Sequence, residues 1–415
     1  MTCETSRTTW LQASLPVAVA VLIGCSSLTA IGQESAVREG AGQQFPVFEV
    51  DTSWPGALPY NWTFGHAPSV AVDSQDHVFI LTRPNTLEPD VRARAAPPVI
   101  ELDSDGNFVN AWGGPSDDYD WPDSEHGIAI DFDDNVWIGG SAPVAPSLRE
   151  LNDDMLLKFT RDGEFLLQIG GRDASPTSLG QTGGNRVGDS VHQSADAAFY
   201  VPPNEVFVAD GYGNRRVAVF DATTGELKRV WGAFGNEPID VIPERRVVGE
   251  TVGGPAGGGG GRARVLDTEG EGSPQFNSPV HAIKVSNDGK VYVADRSNRR
   301  IQVFSLEGEY ETQAIINREG PSTDSAAGLA FSPDAEQRFL YVADYGNSRI
   351  AVVDRHSLEV LYQFGQRSAE PGDFRGLHHL AVDSQGNIYT GEVAPGARVQ
   401  KFRFVGLSDT PPASP

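Results

Sequence analysis

An internal repeat constrains the fold of this chain more than any other feature, because self-similar units of this length must combine into one shared architecture. Three copies align over residues 207–220 (FVADGYGNRRVAVF), 292–304 (YVADRSNRRIQVF) and 341–353 (YVADYGNSRIAVV). Each copy is an apolar strand ending in Ala-Asp, then a turn rich in Gly, Asn and Ser, then Arg and an alternating apolar strand. That pattern predicts antiparallel β-structure.

Three weaker copies, at 78–84, 136–142 and 388–402, complete a set of six. One four-stranded sheet needs roughly 40–50 residues, and the wider intervals between copies therefore indicate loop insertions. The largest insertion falls at about 233–278 and contains the Gly-rich run 253–261. Six such units without helical periodicity predict an all-β fold, a six-bladed β-propeller in one domain. An aromatic residue marks the equivalent position in the copies: Phe79, Trp137, Phe207, Tyr292, Tyr341 and Tyr389.

The ring is expected to close with a strand from near the N-terminus. The last unit supplies only three strands, at about 378–383, 387–391 and 398–404, while PVFEV (46–50) has strand alternation and no partner of its own. This strand is expected to complete the sixth blade and remove an open sheet edge. The propeller would then span 45–406, followed by a disordered tail at 407–415.

The first 24 residues are typical of an export signal, since their apolar run is too short to span a bilayer as a mature helix. The run ends at Cys25 in a sequence that resembles the lipobox of bacterial lipoproteins, which implies a lipid anchor on that cysteine. Ordinary cleavage after Gly32 is the alternative. A flexible linker is expected over 25–44, and the protein is expected to be periplasmic or extracellular, either free or anchored to a membrane.

Composition limits the partners and the metal ligands that this chain can have. The formal net charge of -24 argues against a nucleic-acid partner. The two cysteines, Cys3 and Cys25, both lie in the first 25 residues, and any metal in the rest of the chain must therefore be held by histidine and carboxylates.

Three of the eight histidines share one register of the repeat. His126, His281 and His378 each lie ten residues before the first residue of a second strand, in units two, four and six. Equivalent positions of alternate blades lie about 120° apart around a six-bladed ring. Three converging imidazoles with an open fourth position are typical of a catalytic zinc site. Strand-capping histidines bonded to backbone carbonyls are the alternative interpretation.

Arg83 and Tyr212 each follow a second strand, and they are therefore expected at the end of the channel where the histidines meet. An arginine beside a metal can grip a substrate carboxylate, and a tyrosine beside a cation can act as a base. A solvated arginine and an aromatic turn residue are the alternative. The histidines outside the register are expected in surface or loop positions: His66, His77, His192 and His356.

Residues from about 45 to 406 resemble the peptidyl-α-hydroxyglycine α-amidating lyases (peptidylamidoglycolate lyases), in their bacterial NHL-repeat branch. The similarity is carried by FPVFEVDTSWPGALPYNW (45–62), EHGIAID (125–131) and FVADGYGNRRV (207–217). The resemblance implies a zinc-dependent lyase that cleaves the C–N bond of an N-acyl-α-hydroxyglycine, or a related carbinolamide acid, to an amide and glyoxylate. The partner would be a small-molecule or peptide substrate with a carboxylate, and the protein is expected to be a monomer.

The resemblance also assigns roles to residues. The family's zinc ligands align with His126, His281 and His378, its catalytic arginine with Arg83 and its catalytic tyrosine with Tyr212. Zinc would bind and acidify the substrate hydroxyl, the tyrosine would accept the proton, and the arginine would hold the carboxylate.

One expected cofactor conflicts with the sequence. The family has a structural calcium on two backbone carbonyls, which align with Val70 and Ile128, and on an aspartate. His379 stands at the aspartate position, and an imidazole is a poor calcium ligand. The sequence therefore argues against calcium.

A propeller that binds a protein or glycan partner on its open face, without chemistry, is the alternative function. A lactonase or a sugar dehydrogenase would need Glu, Asn and Asp around calcium or a quinone cofactor, and the histidine triad argues against both.

Overall fold

The computed structural model describes residues 42–143, 151–176, 184–186, 188–240, 270–322 and 324–412. The expected export signal (1–24), Cys25, the linker up to residue 41 and the Gly-rich run 253–261 lie outside these ranges. Within them, no helix has the length and apolar character needed to cross a membrane.

The described residues form six four-stranded antiparallel sheets, as the repeat predicts, and contain no α-helix. The strands of the first three blades, from the channel outward, are β2 His66–Val72, β3 Val78–Arg83, β4 Val99–Leu102 and β5 Phe108–Trp112; β6 Glu125–Ile130, β7 Val136–Gly140, β8 Met155–Phe159 and β9 Phe165–Gly170; and β10 Ser194–Tyr200, β11 Glu205–Asp210, β12 Arg216–Asp221 and β13 Leu227–Trp231.

Blades four to six follow the same order. Their strands are β14 Val280–Val285, β15 Lys290–Asp295, β16 Arg300–Ser305 and β17 Tyr310–Ile315; β18 Leu329–Phe331, β19 Phe339–Asp344, β20 Arg349–Asp354 and β21 Val360–Phe364; and β22 Leu377–Val382, β23 Ile388–Glu392, β24 Val399–Ser408 and β1 Phe45–Asp51. The prediction of a six-bladed β-propeller is confirmed.

The marker aromatic residue of each copy lies in the second strand of its blade and packs between neighbouring sheets. All six of these side chains are buried, because alternate residues of a strand point to the same face and that face meets the next blade. The repeat in the sequence therefore reflects the packing of each blade against the next.

The N-terminal strand closes the ring as predicted. Strand β1 pairs with β24 in antiparallel register from Phe45 opposite Ser408 to Asp51 opposite Lys401. Phe48 points from this strand into the core shared with blade five, where its ring contacts Tyr341 at a centroid distance of 5.6 Å. Strand β24 continues to Ser408, two residues past the boundary expected from the sequence.

The first strands of the six blades surround the central channel. A cavity of about 410 Å³ occupies the channel toward the end where these strands finish, lined by residues of all six blades. At the opposite end, the start of each first strand meets the loop that follows a second strand, and we call this end the mouth. Arg83 makes one such contact between neighbouring blades: it ends β3, and its Nε donates to the carbonyl oxygen of Glu125 at the start of β6.

Candidate metal centre

The structure brings the three predicted histidines together at the mouth. His126, His281 and His378 are each the second residue of the first strand of their blade, and all three are buried. The Nε2 atoms of His281 and His378 lie 3.2 Å apart, and the Nε2 atom of His126 lies 2.9 Å from the hydroxyl oxygen of Tyr212.

The intervening blades fix the orientation of each imidazole. The Nδ1 atoms of His126, His281 and His378 lie 2.7–2.8 Å from backbone carbonyl oxygens in blades three, five and one. A carbonyl can only accept, so each Nδ1 carries the proton and each Nε2 presents its lone pair to the channel axis. Buried metal-binding histidines use this arrangement. The acceptors are the carbonyls of Ala195, Ala327 and Pro68.

Two lone pairs that face each other at 3.2 Å repel unless a cation or a proton lies between them. Burial lowers the pKa of His126, His281 and His378 well below the ordinary value, with nearby imidazoles and arginines adding to the effect. The three rings are therefore neutral at pH 7, which is the state that binds metal. Two nitrogens bound to one tetrahedral zinc at about 2.05 Å lie about 3.3 Å apart. The triad fits zinc.

Tyr212 lies against the triad. It follows β11, as predicted, and its hydroxyl oxygen is 2.9 Å from Nε2 of His126 and 3.2 Å from Nε2 of His281. The hydroxyl can donate to only one of these nitrogens at a time. It is thus within hydrogen-bonding distance of two of the three Nε2 atoms.

Arg83 also reaches the mouth. Only its Nε is engaged by the described residues, through the bond to the Glu125 carbonyl, which leaves Nη1 and Nη2 for a ligand. Burial lowers the pKa of Arg83, whereas the side chains of Tyr212 and Glu125 oppose that shift. The carboxyl of Glu125 is itself buried, which raises its pKa to about 7. Arg83 therefore keeps its positive charge without a fully ionised partner beside it.

Arg296 is a second arginine at the mouth, and the sequence analysis missed it. It follows β15, and its Nη1 donates to the Tyr212 hydroxyl at 3.3 Å while its guanidinium lies over the rings of Tyr212 and Tyr345. Its Nε is 3.7 Å from Asp324, and the side chain is 11% exposed. The available signal was its position directly after Ala-Asp, which Gly211 and Tyr345 occupy in the other strong copies.

His379 adds a fourth imidazole below the triad. One ring nitrogen from each of the four histidines lies within 4.8 Å of the corresponding nitrogens of the other three. The His379 ring stacks on His281 at 4.9 Å and 23°, and burial lowers its pKa to about 4. The Nε2 atom of His379 is buried without a hydrogen-bond partner among the described residues, so His379 is a candidate fourth ligand beside the triad.

The residues beneath the triad do not fit calcium. Val70, Ile128 and His379 line the channel cavity, and so does Lys284, whose ammonium is 2.7 Å from the carboxylate of Asp196. Calcium needs six to eight oxygen ligands. Here the carboxylate of Asp196 is already neutralised by Lys284, and His379 offers an imidazole nitrogen rather than an oxygen.

His192 lies in the loop before β10, one of the two positions expected for it, but not at the surface. Its side chain is buried, because its Nδ1 pairs with the carboxylate of Asp154 at 2.6 Å between blades two and three. His77 is half-buried and similarly paired with Glu101 at 2.7 Å, at the opposite end of the fold from the triad. His356 is exposed, as expected.

Comparison with known proteins supports the repeat architecture. Residues 280–304, which cover β14, β15 and most of β16, match the NHL repeat model. Over 320 residues the chain is 26% identical to NHL repeat-containing protein 3 of Mus musculus, covering 74% of this chain and 70% of that protein. It is 24% identical over 395 residues to peptidyl-glycine alpha-amidating monooxygenase B of Xenopus laevis, covering 90% of this chain and 38% of that protein.

A solved structure from Bacteroides thetaiotaomicron, described as a structural genomics protein of unknown function, has a TM-score of 0.50 at 13% identity. The match covers 88% of this chain and 77% of that one, and it concerns the fold alone. The chain is thus a six-bladed β-propeller in which one NHL repeat is matched, at residues 280–304. An amidating enzyme and NHL repeat-containing protein 3 are its distant relatives, and these similarities do not separate the lyase branch from the others.

Proposed function

We propose that this protein is a zinc-dependent carbon–nitrogen lyase acting on N-acyl-α-hydroxyglycines or related carbinolamide acids. The observation that supports it most directly is the convergence of three imidazole lone pairs beside the Tyr212 hydroxyl, with two arginines at the same mouth. The distant similarity to an amidating monooxygenase, over most of this chain, is consistent with that chemistry.

His126, His281 and His378 would hold the zinc, which would supply Lewis-acid polarisation of the substrate hydroxyl. The Nη groups of Arg83, which no described residue engages, would bind the substrate carboxylate in a bidentate manner. Arg296 adds a second positive charge to the mouth and orients the Tyr212 hydroxyl through its hydrogen bond.

Tyr212 would exchange the proton that the reaction moves. The substrate hydroxyl loses its proton, its oxygen forms the carbonyl of glyoxylate, and the C–N electron pair leaves with the amide nitrogen, which takes up a proton. Atoms balance without an added water, oxidant or covalent nucleophile.

The direct test is incubation of the zinc-loaded protein with α-hydroxyhippurate, followed by quantification of glyoxylate and benzamide. We expect equimolar products from the wild type and a loss of at least about 10²-fold in kcat for Tyr212→Phe. Arg83→Ala should abolish detectable turnover or raise KM strongly. Arg403→Ala removes an exposed arginine that pairs with Glu49 far from the mouth, and it should behave as the wild type.

Zinc bound at the triad without glyoxylate from any carbinolamide acid tested would contradict the lyase. It would favour a propeller that binds its partner at the same mouth without chemistry.

A further inference from the structure

The loop that carries Tyr212 is fastened to the start of blade three. Tyr212 N donates to the carbonyl of Gln193 at 3.2 Å, and Gly213 N donates to the carbonyl of His192 at 3.0 Å. In return, His192 N donates to the carboxylate of Asp210, the last residue of β11, at 2.7 Å. The backbone position of the tyrosine therefore depends on where residue 192 lies.

The ring of His192 is itself held from blade two. Its Nδ1 is 2.6 Å from Oδ1 of Asp154, and both side chains are buried. The other carboxylate oxygen of Asp154 accepts the backbone N–H of Ser175 at 2.9 Å. A buried, charge-assisted pair of this kind is stronger and more directional than a neutral hydrogen bond.

The face of the His192 ring packs directly on the backbone of the Tyr212 loop. A Cβ added to Gly213 would lie 2.1 Å from Cδ2 of His192 and 2.4 Å from its Cγ. Only glycine allows this approach, since any side chain would have to displace the ring or the loop. The ring thus acts as a rigid support between Asp154 and the residue that follows Tyr212.

We infer that His192 and Asp154 form a positioning pair, which sets the Tyr212 hydroxyl at its place over the triad. This inference rests on the proposed function, in which Tyr212 exchanges the reacting proton. Both act through the backbone of residues 212 and 213. A displacement of about 1 Å of a reacting group can cost about 10²-fold in rate, so the pair should control kcat.

The kinetic test uses His192→Phe, which keeps a ring but loses the bond to Asp154, and Asp154→Ala. We expect kcat to fall by about 10- to 100-fold, with KM and zinc content unchanged because Arg83 and the triad are untouched. Asp154→Asn retains an acceptor for Nδ1–H and should recover much of the loss. The matched control is His77→Phe, which breaks a histidine–carboxylate pair of similar length. His77 lies at the start of β3, roughly 20 Å along that strand from Arg83 at the mouth.

A double-mutant cycle separates positioning from general destabilisation. If His192 acts through Tyr212, then His192→Phe should add no further loss of kcat in a Tyr212→Phe background. A purely structural role would lower the melting temperature of every variant, including His77→Phe, and leave kcat at low temperature unchanged. Additive losses in the cycle would overturn the inference.

Crystal structures of the wild type and of His192→Phe decide the inference without turnover. We expect the distance from the Tyr212 hydroxyl oxygen to Nε2 of His126 to lengthen from its present 2.9 Å in the variant. If the wild type releases no glyoxylate, the proposed function fails while this displacement still tests the positioning pair. Gly213→Ala pushes on the same contact from the other side, and it replaces His192→Phe if that variant does not fold. An unmoved tyrosine in the folded variant would refute the pair.

Discussion

Removal of one triad histidine should weaken zinc binding by the contribution of one ligand in three. Zinc-finger peptides gain about 10–16 kcal/mol from four ligands, or about 3 kcal/mol for each ligand. At 1.4 kcal/mol for each tenfold change, His281→Ala should weaken zinc binding by about 10²- to 10³-fold. His126→Ala and His378→Ala should do the same, because each ring has the same carbonyl support and the same direction of its lone pair.

The assay is metal analysis of the purified protein, followed by competition with a chromogenic chelator. The wild type should retain a single zinc ion per chain. After the zinc is removed, the melting temperature of the metal-free protein should rise with added zinc, by an amount equivalent to about 2.7 kcal/mol at a hundredfold excess over Kd. Two controls frame the result. His356→Ala alters an exposed histidine and should change nothing, whereas His379→Ala tests whether the stacked ring is a ligand.

Three outcomes would refute this reasoning. Zinc could be absent from the wild type, it could persist undiminished in the triad variants, or His379→Ala could lose as much affinity as His281→Ala. The last outcome would describe a closed, four-histidine site, which leaves no position for substrate.

Three further predictions concern the scaffold. Phe48→Ala should lower the free energy of unfolding by about 3–5 kcal/mol in urea denaturation, because this buried ring joins the closing strand to blade five; Phe132→Ala, at an exposed ring, should cost little. Burial raises the pKa of Glu125 from 4.5 to about 7, so its stabilising contribution is lost as pH rises through that interval. Relative to wild type, Glu125→Gln should therefore gain about 3 kcal/mol of stability between about pH 5 and pH 8, and a constant difference would contradict the buried carboxyl. Added calcium should leave the melting temperature of the zinc-loaded protein unchanged, because Lys284 already neutralises Asp196; a rise in melting temperature with calcium would show that the channel holds that ion.

The repeat was sufficient to predict the blades because one physical requirement, an apolar face on the second strand of every sheet, recurs six times. It also placed the triad, since equal register in a closed ring implies equal height along the channel. The closing strand was predictable for a related reason: a three-stranded last unit leaves an edge that PVFEV alone could pair.

Residues outside the repeat could not be placed in the same way. Arg296 begins the turn of its copy, whereas the repeat pattern contains only the arginines that follow the turn, such as Arg216 and Arg300, which pair with buried aspartates of their own blade. His192 lies in the irregular connection between blades two and three, outside the repeated units. Its partner Asp154 is 38 positions away, and only the packing of one blade on the next brings them together.

The acidity of the chain and the proposed anionic substrate can be reconciled at the mouth. The net charge of -24 is spread over the molecule, whereas Arg83 and Arg296 both lie beside the triad. Burial raises the pKa of two nearby carboxyls, that of Glu125 to about 7 and that of Asp153 to about 6, which removes part of the opposing negative charge near neutral pH. A zinc ion on neutral imidazoles would add two further positive charges. Because screening limits the distant surface carboxylates to about 8 Å at physiological ionic strength, a carboxylate at the mouth is governed by these near groups rather than by the net charge.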